Sequence, residues 1–487
     1  MIQNLKKGQI IELIVSDIAF GGRGFAKIDG FAVFIDKAVT GDTVEVRIVK
    51  RKKNYAEARI LKMIKPSEDR IKPRCNYSEY CGGCKWQFLD YEKQLYYKTK
   101  QVAESLEHIG LVKDVNVHPA IPSDSIFGYR NKMEFSCSDK RWLLPEELDT
   151  DAVKGFGLGL HVPGTFDKIL DIDKCHIQPE LGNDILNDIR KFIINSNLPV
   201  YGLRSHEGFW RFIMLRHSFA HNKWMVNIVT AWEEKAVLKE LADILMEKYS
   251  NIVSIVNNVT SKRAGIAVGE YELVIAGDSF IKDMLGKYEF KISANSFFQT
   301  NTAGAEKLYS TVKEYAALTG NETVLDLYSG TGTIPIWLSE YAKEITGIEI
   351  VESSIADAKK NALHNGVNNC NFLLGDIKEI LPQLYGKSEV VPNRIKSDVI
   401  KPDSVKPNTV KPDVIIIDPP RMGMHKDVVK QVAKLAVPKI VYVSCNPATL
   451  ARDIEMLKND YRVIEIQPVD MFPHTYHIEA VAKLEKI

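Results

Sequence analysis

From residue 293 onward, apolar strand-like runs alternate with helix-like stretches, and this alternation leaves few folds open. The runs cover 324–328, 344–350, 371–374, 414–417, 440–444, 462–469 and 477–483, with helical stretches such as 352–364 and 427–435 between most of them. Parallel strands need crossover connections, which helices supply, so the pattern predicts a doubly wound α/β sheet. The last two runs have no helix between them and are expected to pair antiparallel at the sheet edge.

A ligand site is expected at the carboxyl ends of these strands. The first run continues as Leu327-Tyr328-Ser329-Gly330-Thr331-Gly332, a strand leading into a Gly-x-Gly turn and a helix start. Glycines there let backbone approach a ligand where a Cβ would clash. Glu349 lies 23 residues after Asp326, at the end of the next strand. An acid in that place can accept from both hydroxyls of an adenosine ribose. Asp376 follows at the next strand end. Pro335 stands where a dinucleotide fingerprint would carry a third glycine, so S-adenosylmethionine is favoured over a pyrophosphate cofactor.

Two further strand ends carry Asp418-Pro419-Pro420-Arg421 and Ser444-Cys445-Asn446-Pro447. Asp-Pro-Pro also occurs in enzymes that methylate exocyclic amines, but an aromatic residue then usually follows, not arginine. A cysteine on the neighbouring strand end implies different chemistry. Carbon 5 of uracil is a poor nucleophile until a thiolate adds to carbon 6. A base must later remove the carbon 5 proton, and Glu479, opening the last strand, is the natural choice. Alone, Cys445 reads as a structural thiol; with Asp418 and Glu479 it reads as catalytic.

Cys75, Cys81 and Cys84 form a C-x5-C-x2-C group, and Cys175 is the best fourth ligand, with His176 beside it as a competitor. Zinc and an iron–sulfur cluster both suit four thiolates, and spacing alone slightly favours zinc. Cys137 is a weaker ligand candidate, more simply a core residue. Seven cysteines in a chain of this length are too few for a disulfide scaffold.

The region before residue 66 contains short β-type runs at 10–14, 31–35, 43–49 and 57–64, separated by Gly-rich turns at 21–24 and 41–42. This predicts a small β-barrel. Residues 1–74 carry 16 Lys/Arg against 9 Asp/Glu, although the whole chain nets only +1. Local positive charge favours a polyanion such as RNA, though a solvated surface is the blander alternative. An amphipathic helix is expected near 91–109, and an α+β mixture from 126 to 290. The polar 386–413 stretch repeats Lys-Pro and reads as a mobile inserted loop. No apolar run reaches 18 residues and no secretory leader is visible, so a cytoplasmic protein without a membrane span is expected. Nothing implies an obligate protein partner.

Together these motifs resemble the RumA-type 23S rRNA (uracil-5-)-methyltransferases, over nearly the whole chain. The resemblance implies a multidomain α/β protein. A TRAM/OB-like barrel (1–66) would bind RNA, a central α+β region (67–292) would hold a 4Fe–4S cluster, and a Rossmann-like methyltransferase domain (293–487) would bind S-adenosylmethionine. It assigns the cluster to Cys75, Cys81, Cys84 and Cys175, replacing the zinc preference. It adds Gln299, from Phe297-Phe298-Gln299-Thr300-Asn301, to Tyr328, Glu349 and Asp418 as cofactor-site residues. It makes Cys445 the nucleophile and Glu479 the base. The implied reaction is uridine carbon 5 methylation, on rRNA first and on tRNA as the alternative; a cluster-bearing RNA-binding protein without catalysis is the other-class reading. Tyr328-Ser329 replaces the Phe-Cys of some members, and the Lys-Pro loop is extra.

Overall fold

The computed structural model describes residues 5–263, 267–385 and 411–487. Most of the Lys-Pro stretch, residues 386–410, therefore lies outside the described residues.

Strands Ile10–Ile14, Asp17–Ala19, Arg23–Ile28, Phe31–Asp36, Thr43–Arg51 and Tyr55–Lys65 form one six-stranded sheet. Alternate residues, among them Val33, Ile35, Val44, Val46, Ala56 and Ala58, turn inward to a shared core. Arg23–Ile28 starts inside what reads as a Gly-rich turn. Gly24 permits this, because a Cβ there would meet the Ala38 Cβ at 2.5 Å.

The middle of the chain builds an eight-stranded mixed sheet around Trp210–Ser218, a strand buried along its whole length. Helices Glu180–Asn195 and Lys235–Lys248 cover it with Ile185, Ile189, Leu241 and Leu245. Cys137 packs in that core, fully buried in the strand Lys132–Ser138.

The third large sheet contains seven strands from the C-terminal region: β1 (Thr323–Leu327), β2 (Glu344–Glu349), β3 (Cys370–Leu374), β4 (Val414–Ile417), β5 (Lys439–Ser444), β6 (Tyr461–Val469) and β7 (Glu479–Lys486). Their order is β3-β2-β1-β4-β5-β7-β6; the first five run parallel, and β7 pairs antiparallel with both β5 and β6. Val324, Ile416, Val441 and Val443 pack on one face, and Leu325, Leu327, Ile415 and Ile417 on the other. Burial on both faces is why these strands read as nearly unbroken apolar runs.

The final hairpin forms as expected but does not make the outermost edge. The short strand Asn116–Val117 adds parallel to β6. Helix Tyr91–His108, just before it, buries Val102 and Leu106 in the same core as Leu325 and Ile415. Asp90 caps that helix, its side chain accepting from the Glu92 N–H at 3.0 Å.

Candidate active site

The parallel strands deliver their following residues to one edge of the sheet. After β1, Tyr328 takes a left-handed φ of 68°, a conformation costly for a residue with a side chain. Gly332 has φ 77°, and a Cβ on it would lie 2.9 Å from the Phe372 ring. The Glu349 carboxylate accepts from Gly330 N–H at 3.1 Å and from the Ile350 and Val351 N–H groups at 2.9 Å each. A carboxylate offers about four acceptor positions, so Glu349 holds the Gly-x-Gly turn in place and keeps capacity for a ligand hydroxyl. Tyr328, Glu349 and Asp376 all line one cavity of about 570 Å³, with Ile377, Met424 and Val428 among its apolar walls.

Gln299 and Asp418 do not line that cavity. The Tyr309 hydroxyl lies near both: it is hydrogen-bonded to the Thr333 hydroxyl at 2.9 Å, and the Gln299 side chain, Asp418 and Asp326 lie within its electrostatic reach. Asp326 is buried, and neither of its carboxylate oxygens has a partner. Burial, with Asp418 and Glu349 nearby, holds its pKa well above the usual carboxylate range. Burial alone raises Asp418 to about 7. A cationic ligand bound near Asp326, the buried carboxyl without a partner, would favour its ionised form.

Cys445 follows β5 directly and Glu479 opens β7. Because Ser444 pairs with Ala480, the antiparallel register sets these two residues next to each other. Burial, then Asp418, pushes Glu479 up to about 8. Burial, then Glu479, pushes the Cys445 thiol up to about 11, while Arg421 opposes the shift. The Arg421 Nη2 donates to His477 Nδ1 at 2.6 Å, and its carbonyl accepts from the Asn446 side chain at 3.1 Å. This arginine thus ties the turn after β4 to the turn after β5 and to the loop before β7. Burial and nearby cations lower His477 to about 3, so its ring is neutral and can accept.

Cys75, Cys81, Cys84 and Cys175 ring one small pocket in the central region, with His176 also on its wall. Burial raises all four thiols, and Cys84 and Cys175 are raised further by the other cysteines. Four such thiols cannot ionise together without a compensating cation. Among the described residues, no group of three or more His, Cys, Asp or Glu side chains is arranged to hold a metal ion.

The sequence profile of the tRNA (uracil-5-)-methyltransferase family matches residues 224–487, and that of the TRAM domain matches residues 4–61. The chain belongs to the tRNA (uracil-5-)-methyltransferase family. It is an enzyme, a methyltransferase of RNA. It is 43% identical to an uncharacterized RNA methyltransferase of Chlorobaculum tepidum, over 99% of this chain and 97% of that one. A Porphyromonas gingivalis RNA methyltransferase, also uncharacterized, is 38% identical over 96% and 98%. The solved tRNA (uracil-54, C5)-methyltransferase of Pyrococcus abyssi, in complex with S-adenosyl-L-homocysteine, superimposes with a TM-score of 0.72 at 29% identity, covering 97% of this chain and 100% of that one. The mixed α/β fold, with an N-terminal TRAM domain and a C-terminal methyltransferase domain, agrees with the sequence analysis. Among the described residues, no helix is long and apolar enough to cross a membrane.

Sequence reasoning passed over three residues that the structure brings into this neighbourhood. Asp326 had a signal, its place in the strand before the Gly-x-Gly turn. Lys98 and Asp470 had none, since an isolated lysine on a helix ordinarily reads as part of a solvated face.

Proposed function

We propose that the chain transfers the methyl group of S-adenosylmethionine to carbon 5 of a uridine in RNA, with Cys445 as nucleophile and Glu479 as base. The observation that carries this reading is the register of β5 and β7, which sets thiol and carboxyl side by side where Asp418 and Arg421 also converge. Cys445, having lost its proton, adds as thiolate to carbon 6, and the enolate this creates takes the methyl at carbon 5 as the donor's S–CH3 bond breaks and a neutral thioether leaves. Glu479 then removes the carbon 5 proton. The electron pair of that C–H bond restores the C5–C6 double bond, the C6–S bond breaks, and the thiolate leaves. Thiol and carboxyl both favour their neutral forms, so a cationic sulfonium donor bound nearby would favour ionisation of the acids facing it. Tyr328, Glu349, Asp376, Gln299 and Asp418 are proposed to bind the donor, with Glu349 taking the ribose hydroxyls. The target base must leave its stack to reach a site at this strand edge.

Three functional regions follow, with 1–66 gripping RNA, 67–292 presenting the target loop and 293–487 performing the transfer. The four cysteines would hold a 4Fe–4S cluster that staples the 75–84 loop to Cys175; no step of the reaction passes through it. A cytoplasmic setting, where thiols stay reduced, accords with this. 23S rRNA is the first choice of substrate, on the strength of the TRAM domain and the cysteine set. The Pyrococcus relative, a tRNA enzyme over its whole length, supports tRNA as the second. Incubation with unmodified rRNA and tRNA, followed by mapping of the methyl group, separates them; methyl on an exocyclic amine, or none at all, refutes the proposal.

A further inference from the structure

The loop between β6 and β7 delivers His477 and Glu479, and each carbonyl from Met471 to His474 is held by a different part of the chain. Asn301 donates to the Met471 carbonyl at 2.9 Å, Lys98 to Phe472 at 3.1 Å, Tyr129 to Pro473 at 3.0 Å and the Trp86 N–H to His474 at 2.9 Å. At the root of this loop lies an ion pair removed from solvent. Lys98 Nζ stands 2.6 Å from Asp470 Oδ1, with side-chain exposures of 1% and 0%. Tyr91 donates to the other Asp470 oxygen at 2.9 Å, and the Phe472 N–H donates to Oδ1 at 3.1 Å. Gln94, one helical turn before Lys98, accepts from the His474 N–H at 2.8 Å.

A lysine and an aspartate taken wholly out of water are a costly way to anchor a loop, because the desolvation penalty offsets much of their attraction. Well-packed apolar residues would anchor it as firmly. What apolar residues cannot supply is a positive charge near the base, which Asp470 favours on Lys98 against the opposing effect of burial. Lys98 lies within electrostatic reach of Glu479 and favours its carboxylate form. The other charged or titratable groups facing Glu479 are Asp418 from the end of β4, Arg421 from the turn that follows and the Cys445 thiol from the end of β5. Asp418 opposes ionisation, while Arg421 and Lys98 favour it. Arg421 is exposed and is engaged with His477, whereas Lys98 is dry, so its charge is less screened.

We propose that Lys98 is a positioning residue for the Glu479 base: through Asp470 it fixes the loop that delivers Glu479, and it supplies the buried positive charge that the ionised carboxylate faces. This rests on the reading of Glu479 as the base. Lys98 acts on the last step, proton removal and release of the thiol, and not on the first, thiol addition.

The test uses the full-length enzyme and a transcript that the wild type methylates, and it times covalent adduct formation and adduct resolution separately across pH. Lys98→Met removes the charge; Lys98→Met/Asp470→Asn removes it without stranding a buried carboxylate. Both should form the adduct at close to the wild-type rate and resolve it about tenfold more slowly near neutral pH, the effect of about one pH unit on the ionised fraction. The acidic limb of resolution should move to higher pH by that amount. Tyr91→Phe loosens Asp470 with no change of charge and is expected to fold. It should slow resolution and leave the limb in place. A limb unmoved in a folded Lys98 variant overturns the proposal, as do parallel losses in both steps or wild-type resolution by Tyr91→Phe. Should neither Lys98 variant fold, the Tyr91→Phe result decides. Glu479→Gln is run alongside. If it resolves the adduct normally, the base reading itself has failed; if it stalls while the Lys98 variants resemble wild type, only the role of Lys98 falls.

Discussion

Cys445 and Glu479 share one difficulty: Glu479 is buried, Cys445 is half-buried, and each would sooner keep its proton. Their proposed roles require both to lose it in turn, and that gives predictions at single residues. Cys445→Ala should abolish methylation, by about 10⁴-fold or more as for other nucleophile deletions, and should also abolish any denaturation-resistant protein–RNA adduct. Glu479→Gln keeps the shape, so an adduct should form and accumulate; a gel of the denatured reaction mixture reads both outcomes. RNA bearing 5-fluorouridine should trap the wild type in the same way, because fluorine cannot leave as a cation. The raised Glu479 also bears on stability. Its folded value of about 8 stands above its ordinary 4.5, so the stability it contributes is fully present below about 4.5 and is lost as pH rises through about 8. Glu479→Gln should therefore melt with the wild type in acid and progressively above it as pH rises toward 9. Thermal melts over that range measure the gap, and a constant gap would mean that the carboxyl titrates normally. The same ionisation governs turnover, so resolution of the adduct should quicken as pH rises toward about 8.

Elements supply the close approaches that single residues cannot. Gly332 passes its backbone under the Phe372 ring with φ 77°, so Gly332→Ala adds both a clash and an unfavourable conformation. A cost of about 1–3 kcal/mol is expected, with weaker binding of S-adenosylmethionine. Calorimetric titration of the folded variant checks it, and undiminished affinity would separate this turn from the donor site. Helix Tyr91–His108 is the element whose importance local reading understates. Its buried side includes Gln94, Lys98, Gln101 and Ser105 beside Val102 and Leu106. A polar stripe looks solvent-facing in sequence, yet here Lys98 donates to the Phe472 carbonyl, Gln94 accepts from the His474 N–H and Gln101 donates to the Ile18 carbonyl. Apolar periodicity locates helices that pack on apolar surfaces, and it is silent about helices that serve backbone polar groups.

At the scale of the molecule, the three regions interlock and do not hang as beads. Trp86, next to the cysteine loop, donates to the Gly22 carbonyl of the N-terminal sheet at 3.3 Å and holds His474 of the loop between β6 and β7. Asn116–Val117 extends the doubly wound sheet from more than 200 residues away in sequence. If the proposed cluster is present, anaerobically purified protein should be brown, with about four irons and about four acid-labile sulfides per chain. Stoichiometric zinc without sulfide would refute it. Cys81→Ser should lose the iron and loosen the region between 70 and 180, and should leave the doubly wound sheet folded, because that sheet has its own cores on both faces. Hydrogen exchange resolved along the chain reads both effects.

The sequence by itself determined the strand–helix order of the C-terminal region, the turn that follows β1 and the residues placed at each strand end. These are local facts, written in apolar runs, glycines and short motifs, and 352–364 is helical with the bounds its pattern suggests. It also held the spacing of Cys75, Cys81 and Cys84, three of the four proposed ligands. What only the tertiary structure decided is which of these residues meet. The adjacency of Cys445 and Glu479 depends on β7 lying between β5 and β6, a topological choice that no local pattern encodes. The burial of Lys98 against Asp470 joins residues more than 370 positions apart. Burial decides the acidity of Glu479, Asp418 and the thiols, because ionisation depends on solvent and neighbouring charge, and a linear sequence specifies neither until the chain has folded.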